Sequence, residues 1–152
     1  MLLGIDTSGA VSVAVARGEL TGPAPEILQV RSDERSRHHD EVLLALIDEA
    51  MRAAGAERSE LTGVVVGRGP GPFTGLRVGI AAGIAVGQAR GIPVKGLLSQ
   101  AAIAEEFVRT VADESGRPVL IASDARRKEV YFSVVDSADA TLSAGPFVAK
   151  PA

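Results

Sequence analysis

The sequence contains no cysteine. Without thiols it can form neither a disulfide framework nor a thiolate metal site, and its composition is compatible with a reducing cytosol. Long apolar runs are also missing, because the longest uncharged stretch, 78–89, is shorter than the roughly 20 residues that a membrane-spanning helix needs. The N-terminal segment MLLGIDTSGA has the pattern of a strand rather than of a signal peptide. We therefore expect a cytoplasmic protein with no membrane segment.

Charge of one sign does not dominate either. The 16 basic and 19 acidic residues leave a formal net charge of −3. The densest basic run is Arg126-Arg127-Lys128, and no aromatic residues are interleaved with it. A short exposed triplet of this kind is typical of a solvated turn. The overall charge argues against a chain that binds a phosphate backbone unaided.

What the sequence does contain is a regular alternation of short apolar strands and longer helical segments. Strands are predicted at Leu2–Asp6, Val11–Ala16, Glu26–Arg31, Gly63–Gly67, Pro93–Leu97, Pro118–Ser123 and Lys128–Val135, and helices at Arg37–Ala54, Thr74–Gly91 and Ser99–Ala112. Three strands followed by helix, strand, helix and strand describe a mixed sheet with flanking helices. The predicted fold class is α/β, of the actin-like or ribonuclease-H-like (ASKHA) type.

The chain is expected to hold one complete domain and part of a second. Residues 1–115 carry the elements of an N-terminal actin-like domain. Residues 116–152 are predicted to be the start of a second actin-like subdomain that is cut short, in which 144–152 form a strand or tail with no core left to join. Either a short form or a fragment of a longer protein would give this pattern.

The first two helices have more apolar surface than one sheet can cover. On a helical wheel the apolar residues of Arg37–Ala54, among them Val42 and Leu46, span an arc of about 200°, whereas a helix lying on a sheet needs a stripe of only about 100° or somewhat more. The second helix also has few polar positions, with only Arg77 and Gln88 marking a narrow polar edge. The excess apolar surface must contact something.

Glycine recurs every fourth residue in the second helix, TGLRVGIAAGIAVGQARG, from Gly75 to Gly91. A glycine inside a helix costs about 1 kcal/mol relative to alanine, so the repeat requires a physical reason. Successive glycines drift about 40° around the helix axis and cannot all face one neighbour. One interpretation is that the helix is pressed between its own sheet and an outside partner; the other is close internal packing alone.

Two loops are candidates for phosphate binding. GRGPGPFTG precedes a helix N-terminus, but it lacks the Lys-Ser/Thr pair of a Walker loop, and Pro70 and Pro72 remove two backbone donors. In GIDTSG, Asp6 could present a carboxylate to metal-bound phosphates or could cap its own turn. The natural second phosphate loop would begin at Asp124, where Ala125 and Arg126 replace the glycines and hydroxyl that such a hairpin needs. That loop is predicted to be unfit for ATP.

Metal and hydrolase chemistry find no support. His38 and His39 are the only histidines, and adjacent helical residues point about 100° apart. No ligand stands four residues after His38, since position 42 is Val42. There is no H-E-x-x-H, no G-x-S-x-G and no cysteine nucleophile. Both histidines are expected to face solvent or cap the helix, with no metal site.

Four segments together resemble the TsaB (YeaZ) family, the bacterial accessory protein for threonylcarbamoyladenosine at position 37 of tRNA. They are LGIDTS, GRGPGPFTGLRVGIAAGIAVG, IPVKGLLS and SDARRKEVYF, in the order and spacing of that family. The similarity spans residues 1 to 135, and its GRGPG-x-FTGLR-x-G signature is long and specific. The commonest form of the signature has serine where this chain has Pro72, so a role that needs that hydroxyl does not transfer.

The resemblance implies a pseudoenzyme without cofactor. The family is a degenerate paralogue of the catalytic subunit TsaD, whose H-x-x-x-H metal pair corresponds here to Gly96 and Gln100, of which glycine is no ligand and glutamine a poor one. The implied partners are TsaD and, in the assembly, the ATPase TsaE, with a homodimer when TsaD is absent and only indirect contact with tRNA. The implied pairing surface is the first two helices, with the predicted interface residues Val42, Leu46, Leu76, Gly79, Ile80, Gly83 and Gly87.

Two other functions stay open at this stage. An ATP-dependent phosphotransferase or ATPase of the actin-like superfamily would rest on Asp6, although nucleotide in that fold is held between two domains. A glycoprotease would rest only on the historical name of the wider family and lacks the usual catalytic constellations.

Overall fold

The computed structural model describes residues 1–34, 39–111 and 115–151. The chain divides into two compact units. The first contains Met1–Arg68 and Pro72–Leu97, and the second contains Gly69–Gly71 and Leu98–Ala152. The predicted boundary after residue 115 therefore differs from the observed division by one helix, which belongs with the second unit.

A five-stranded mixed sheet forms the first unit. Its strands are β1 Leu2–Asp6, β2 Val11–Arg17, β3 Glu26–Asp33, β4 Gly63–Gly67 and β5 Val94–Leu97. They lie in the order β3-β2-β1-β4-β5, with β1, β2 and β3 antiparallel and with β1, β4 and β5 parallel. The tight turn after Asp6 makes the β1–β2 hairpin, whereas the parallel pairs need the helical crossovers that the sequence supplies.

Two helices pack on one face of this sheet. Helix α1, His39–Ala53, contacts β2 and β3, and helix α2, Phe73–Arg90, contacts β4, β1 and β5. A single 3₁₀ turn, Arg58–Glu60, lies between α1 and β4. Alternate residues of the strands and one stripe of α1 form the core, namely Leu3, Ile5, Val11, Val13, Val15, Val64 and Val66 with Leu43, Leu46, Ile47, Ala50 and Met51. Helix α2 ends at Gly91, whose left-handed backbone (φ 65°) suits a residue without Cβ.

The second unit is a three-stranded antiparallel sheet with one helix. Helix α3, Ser99–Val111, precedes strands β6 Pro118–Arg126, β7 Glu129–Asp136 and β8 Leu142–Ala149, which pair in the order β6-β7-β8. Ala104 of α3 is buried against Ile121 and Val135 in a small core. Because α3 is held by this core, it belongs to the same compact unit as the three strands.

The predicted mixed α/β fold is confirmed. The predicted bounds of β1 and β4 match the structure, and most other elements differ by one to three residues at an end. Of the strand or tail predicted for 144–152, the strand is confirmed, because 142–149 form strand β8. Its residues join no buried core, but the strand does pair with β7, which the sequence did not predict. Within the described residues, no helix is both long enough and apolar enough to cross a membrane.

Candidate functional site

The glycines of α2 face the sheet of their own unit. Gly75, Gly79, Gly83 and Gly87 are buried. A Cβ atom at Gly79 would overlap Thr7 Oγ1, at Gly83 it would overlap Val66 Cγ1, and at Gly87 it would overlap Val94 Cγ2. The Thr7 hydroxyl also donates a 2.8 Å hydrogen bond to the Gly75 carbonyl. The glycine repeat therefore serves a close approach between helix and sheet.

The four-residue spacing follows from the way α2 crosses the sheet. Thr7 follows β1, Val66 lies in β4 and Val94 lies in β5, and these three strands are neighbours. Successive glycines thus meet successive strands. A row of residues four apart is inclined to the helix axis and drifts around it. The drift that prevents the glycines from facing one neighbour lets them face three adjacent strands.

The predicted interface requires correction at four positions. Gly79, Gly83 and Gly87 were assigned to a partner, but strands of the same unit already fill the space beside them. Leu46 is only 8% exposed and belongs to the core. Val42 is half-buried and packs on that core, whereas Leu76 and Ile80 are half-buried on α2.

Large apolar residues are exposed on the outward sides of α1 and α2. Leu44 is 65% exposed and Ile84 is 44% exposed. Small exposed residues lie on the same two helices, namely Ala45 on α1 and Ala81, Ala85 and Ala89 on α2. We call this surface the outer helix face. A solvated helix normally carries charged or polar residues on its outer side, so this face has the composition of a contact surface.

A simple rule identifies the α2 part of the outer helix face. Ala81, Ala85 and Ala89 each stand two residues after a buried glycine, and two helical steps turn the side chain by about 200°. Once the glycines are known to face the sheet, these alanines must face away from it. The interface predicted from the sequence does not include these alanines, because it places the glycines themselves toward the partner.

A groove of about 360 Å³ runs between α1 and α2 within the outer helix face. Leu3 and Leu61 are among its lining residues, together with Met51 of α1 and Val86 of α2. Its surface is thus largely aliphatic. An apolar groove between two helices can receive a large apolar side chain of a partner, which is the usual form of an energetically dominant contact.

Charged groups stand at the edge of the groove. Arg58 forms an ion pair with Asp48 of α1, and Arg90 of α2 donates a 3.1 Å hydrogen bond to the Ser59 carbonyl. The helices also differ in charge. The α1 sequence contains four acidic residues and one arginine, whereas α2 contains two arginines and no acid. An apolar centre with a charged edge is the usual anatomy of a protein–protein contact.

The carboxylate of Asp6 is engaged in its own turn. Its Oδ1 accepts a hydrogen bond from the Ser8 amide at 2.7 Å and another from the Ser8 hydroxyl at 2.5 Å. The Asp124 Oδ1 likewise accepts a 2.8 Å hydrogen bond from the Arg126 amide. Of the two interpretations of Asp6, these contacts favour turn capping over phosphate-bound metal.

The position that resembles a metal ligand in TsaD is a structural side chain here. Gln100 is 1% exposed. Its Nε2 donates to Ser123 Oγ at 3.2 Å, and its Oε1 accepts from the Ser133 hydroxyl at 2.6 Å. Gly96 offers no ligand atom on its side chain. Among the residues that the structure describes, no cluster of His, Cys, Asp or Glu could hold a metal ion.

The remaining predicted site residues are the histidines. His38 lies outside the described residues, and His39 is the first residue of α1, with a side chain that the structure does not describe. Their expected solvent-facing or capping role therefore stays a prediction.

Known proteins resemble this chain over most of its length. Residues 30–152 match the family model described as TsaD, tRNA N6-adenosine threonylcarbamoyltransferase. An uncharacterised protein of Mycobacterium leprae (strain TN) is 40% identical over 151 residues, which are 99% of this chain and 39% of that relative. The tRNA threonylcarbamoyladenosine biosynthesis protein TsaB of Haemophilus influenzae (strain ATCC 51907 / DSM 11121 / KW20 / Rd) is 40% identical over 136 residues, which are 88% of this chain and 53% of that relative.

A solved structure supports the same assignment. YeaZ from Pseudomonas aeruginosa matches with a TM-score of 0.79 and 29% sequence identity, over 99% of this chain and 66% of that chain. The chain thus spans about two fifths to two thirds of the length of these relatives. The match confirms the actin-like fold predicted from the order of the strands and helices. The chain therefore belongs to the TsaD family and, within it, to the TsaB (YeaZ) group.

Proposed function

We propose that the chain acts in the biosynthesis of threonylcarbamoyladenosine at position 37 of tRNA, as a non-catalytic subunit. In this role it pairs with a TsaD-type catalytic subunit through the outer helix face, and a TsaE-type ATPase joins the assembly. The relative from Haemophilus influenzae carries the name of that pathway. The proposal extends the name to this chain and adds the surface through which it works.

The observation that carries the proposal is the exposed apolar character of the outer helix face. Leu44 and Ile84 are large aliphatic residues exposed to solvent on helices whose opposite faces pack on the sheet. The groove between α1 and α2, which Leu44 helps to line, adds a concave apolar surface. Burial of such a surface against a partner is favourable by about 25 cal/mol for each Å² of apolar area removed from water.

The proposed non-catalytic role rests on two positions, Gln100 and Asp6, whose side chains are used in contacts within the chain. Both polar atoms of the Gln100 amide are engaged by Ser123 and Ser133. The Asp6 carboxylate caps its own turn. A catalytic subunit of this fold would need ligands at such positions to hold metal and phosphate.

The test replaces Leu44 and Ile84 by aspartate, singly and together, and measures capture of the TsaD-type subunit from the same organism. Both side chains are exposed, so the fold should tolerate the change. An aspartate buried in an apolar contact must be desolvated, so we expect capture to fall at least about tenfold for each single variant. Formation of modified tRNA in the reconstituted system should fall in parallel.

Ile27→Asp provides the matched control. Ile27 is 55% exposed on strand β3 of the same unit and lies outside the outer helix face. This variant should capture the TsaD-type subunit as the wild type does. Unchanged capture by the folded Leu44→Asp, Ile84→Asp double variant would refute the proposed pairing surface.

A further inference from the structure

The turn between β6 and β7 holds three consecutive residues in the left-handed backbone region. Arg126, Arg127 and Lys128 have φ values of 62°, 53° and 62°. The last strand pair is Arg126 with Glu129, so Arg127 and Lys128 form a two-residue hairpin loop. Positive φ at both central residues is the signature of a type I′ turn, which strongly prefers Asn-Gly because a Cβ atom is strained there. We call Arg126–Lys128 the basic turn.

Folding alone does not account for these residues. Asparagine and glycine would relieve the strain at the two loop positions, yet the chain has an arginine and a lysine there. Local backbone strain that a better turn residue would remove is characteristic of functional positions. The structure therefore points to a role for the side chains that outweighs their effect on stability.

The three side chains are exposed and available to a ligand. Several other arginines are paired: Arg17 with Glu26, Arg58 with Asp48, and Arg109 with Glu106. Within the described part of the chain, none of the basic-turn side chains forms an ion pair.

The neighbouring carboxylates leave the basic turn with a net positive charge. Asp124 directs its Oδ1 to the Arg126 amide, and Glu129 begins the next strand as a half-buried residue. The stretch Asp124–Glu129 thus carries three basic and two acidic residues. Its remaining member is Ala125, so the turn offers cations without the apolar or aromatic anchor that a protein contact normally uses.

We infer that the basic turn contacts phosphate groups of the RNA backbone directly, in contrast to the indirect contact with tRNA that the family resemblance implies. This inference rests on the proposed function, which makes a tRNA the substrate of the assembly. Arginine binds a phosphate through two parallel hydrogen bonds and lysine binds it as a point charge, and neither contact needs a base sequence. The net charge of −3 for the whole chain means that the turn adds a local contact to an RNA that the assembly also holds elsewhere.

The test converts the loop to the preferred turn sequence with Arg127→Asn and Lys128→Gly together. The probe is an unmodified tRNA transcript, and its binding to the complex of this chain with the TsaD-type subunit is measured by fluorescence anisotropy from low to moderate salt. We expect the affinity at low salt to fall at least about tenfold. The plot of log K against log salt should also become less steep by about 2, which is about one for each lost phosphate contact. Because Asn-Gly relieves the strain, the midpoint of thermal unfolding should stay the same or rise.

Two controls separate this inference from other effects. Arg109→Gln with Lys150→Gln removes the same two charges elsewhere in the second unit and should leave tRNA binding within about twofold of the wild type. Arg127→Lys keeps the charge and should retain the salt slope. Capture of the TsaD-type subunit by the Asn-Gly variant should be unchanged, so a failure of tRNA binding is distinguishable from a failure of the proposed pairing.

Three results would overturn the inference. The first is no salt-dependent binding of the transcript by the wild-type complex at low ionic strength. The second is equal affinity of wild type and Asn-Gly variant. The third is loss of tRNA binding in both the Asn-Gly variant and the Arg109, Lys150 control, which would indicate a general charge effect. Binding of poly-glutamate in preference to the transcript would assign the turn to an acidic protein and would equally refute the RNA contact.

Discussion

The side chain that follows β1 and one side chain each from β4 and β5 occupy the space that the α2 glycines leave. Thr7, Val66 and Val94 each stand where a Cβ atom of the helix would otherwise lie. Thr7 also bonds the helix through the Gly75 carbonyl. Each glycine thus packs against one particular side chain. The effect of a substitution at a glycine on the free energy of unfolding therefore depends on that contact more than on helix propensity.

Gly83→Ala is therefore expected to destabilise the protein although alanine is the better helix former. Propensity favours the change by about 1 kcal/mol, whereas forcing an extra carbon into a packed core costs about 1–3 kcal/mol. Val66 is buried in a central strand and cannot turn away freely. The difference leaves a net loss of about 1 kcal/mol, and of no more than about 2 kcal/mol, in the free energy of unfolding, measured by chemical denaturation followed by circular dichroism.

The same substitution should change sign in a Val66→Ala background. Val66→Ala alone loses stability, because it removes buried methyl groups. In that background the Cγ1 atom that opposes residue 83 is gone, so Gly83→Ala should stabilise. Equal destabilisation in both backgrounds would show that the glycine is needed for another reason.

At the scale of elements, strand and helix positions were largely predictable from periodicity and punctuation. The orientation of helix α2, in contrast, could not be predicted from the sequence. Its glycine repeat indicated close packing on one side, but a helix that is small on both sides does not reveal which side meets the sheet. The observed orientation depends on the side chains of three strands that are distant in sequence. The outer helix face could be derived only after those contacts were known.

Strand β8 is a second element whose placement could not be predicted fully from the sequence. Its residues, LSAGPFVA, alternate poorly and include glycine and proline, which are rare in strand interiors. The pairing with β7 shifts register twice, which accommodates these residues at the edge of the small sheet. Irregular edge strands carry little periodic signal, so the sequence predicts only a strand or tail for 144–152 and does not predict its pairing with β7.

Helix α3 is tied to its sheet by the amide of Gln100, and this gives a testable consequence. Gln100→Leu should leave the buried Ser133 hydroxyl without its partner and cost about 1–3 kcal/mol of unfolding free energy. Tyr131 of β7 is the only tyrosine and the chain has no tryptophan, so tyrosine fluorescence can follow this unit.

A second substitution provides the control for the Gln100 experiment. Adding Ser133→Ala to Gln100→Leu removes the unpartnered hydroxyl and should recover part of the lost stability. Glu105→Leu on the exposed side of α3 should stay within about 0.5 kcal/mol of the wild type. A Gln100→Leu variant as stable as the wild type would contradict the role given to the amide.

At the scale of the whole molecule, one outer helix face can serve only one partner at a time. We expect the chain alone to form a homodimer through this face, because the same exposed leucine and isoleucine are then covered by a second copy. Adding the TsaD-type subunit should convert the homodimer to a mixed pair, as measured by sedimentation velocity. A stable species that contains two copies of this chain and a TsaD-type subunit bound to the same face would contradict this competition.

The side chains that fit beneath α2, those of Thr7, Val66 and Val94, also restrict rotation and sliding of the helix. A rotation by one residue would bring Leu76, Ile80 or Ile84 onto the sheet in place of a glycine, and a slide along the axis would remove all three fits together. Helix α2 is therefore a rigid body before any encounter. Association through it should need little ordering of the backbone, and its heat-capacity change should scale with the apolar area covered rather than with coupled folding.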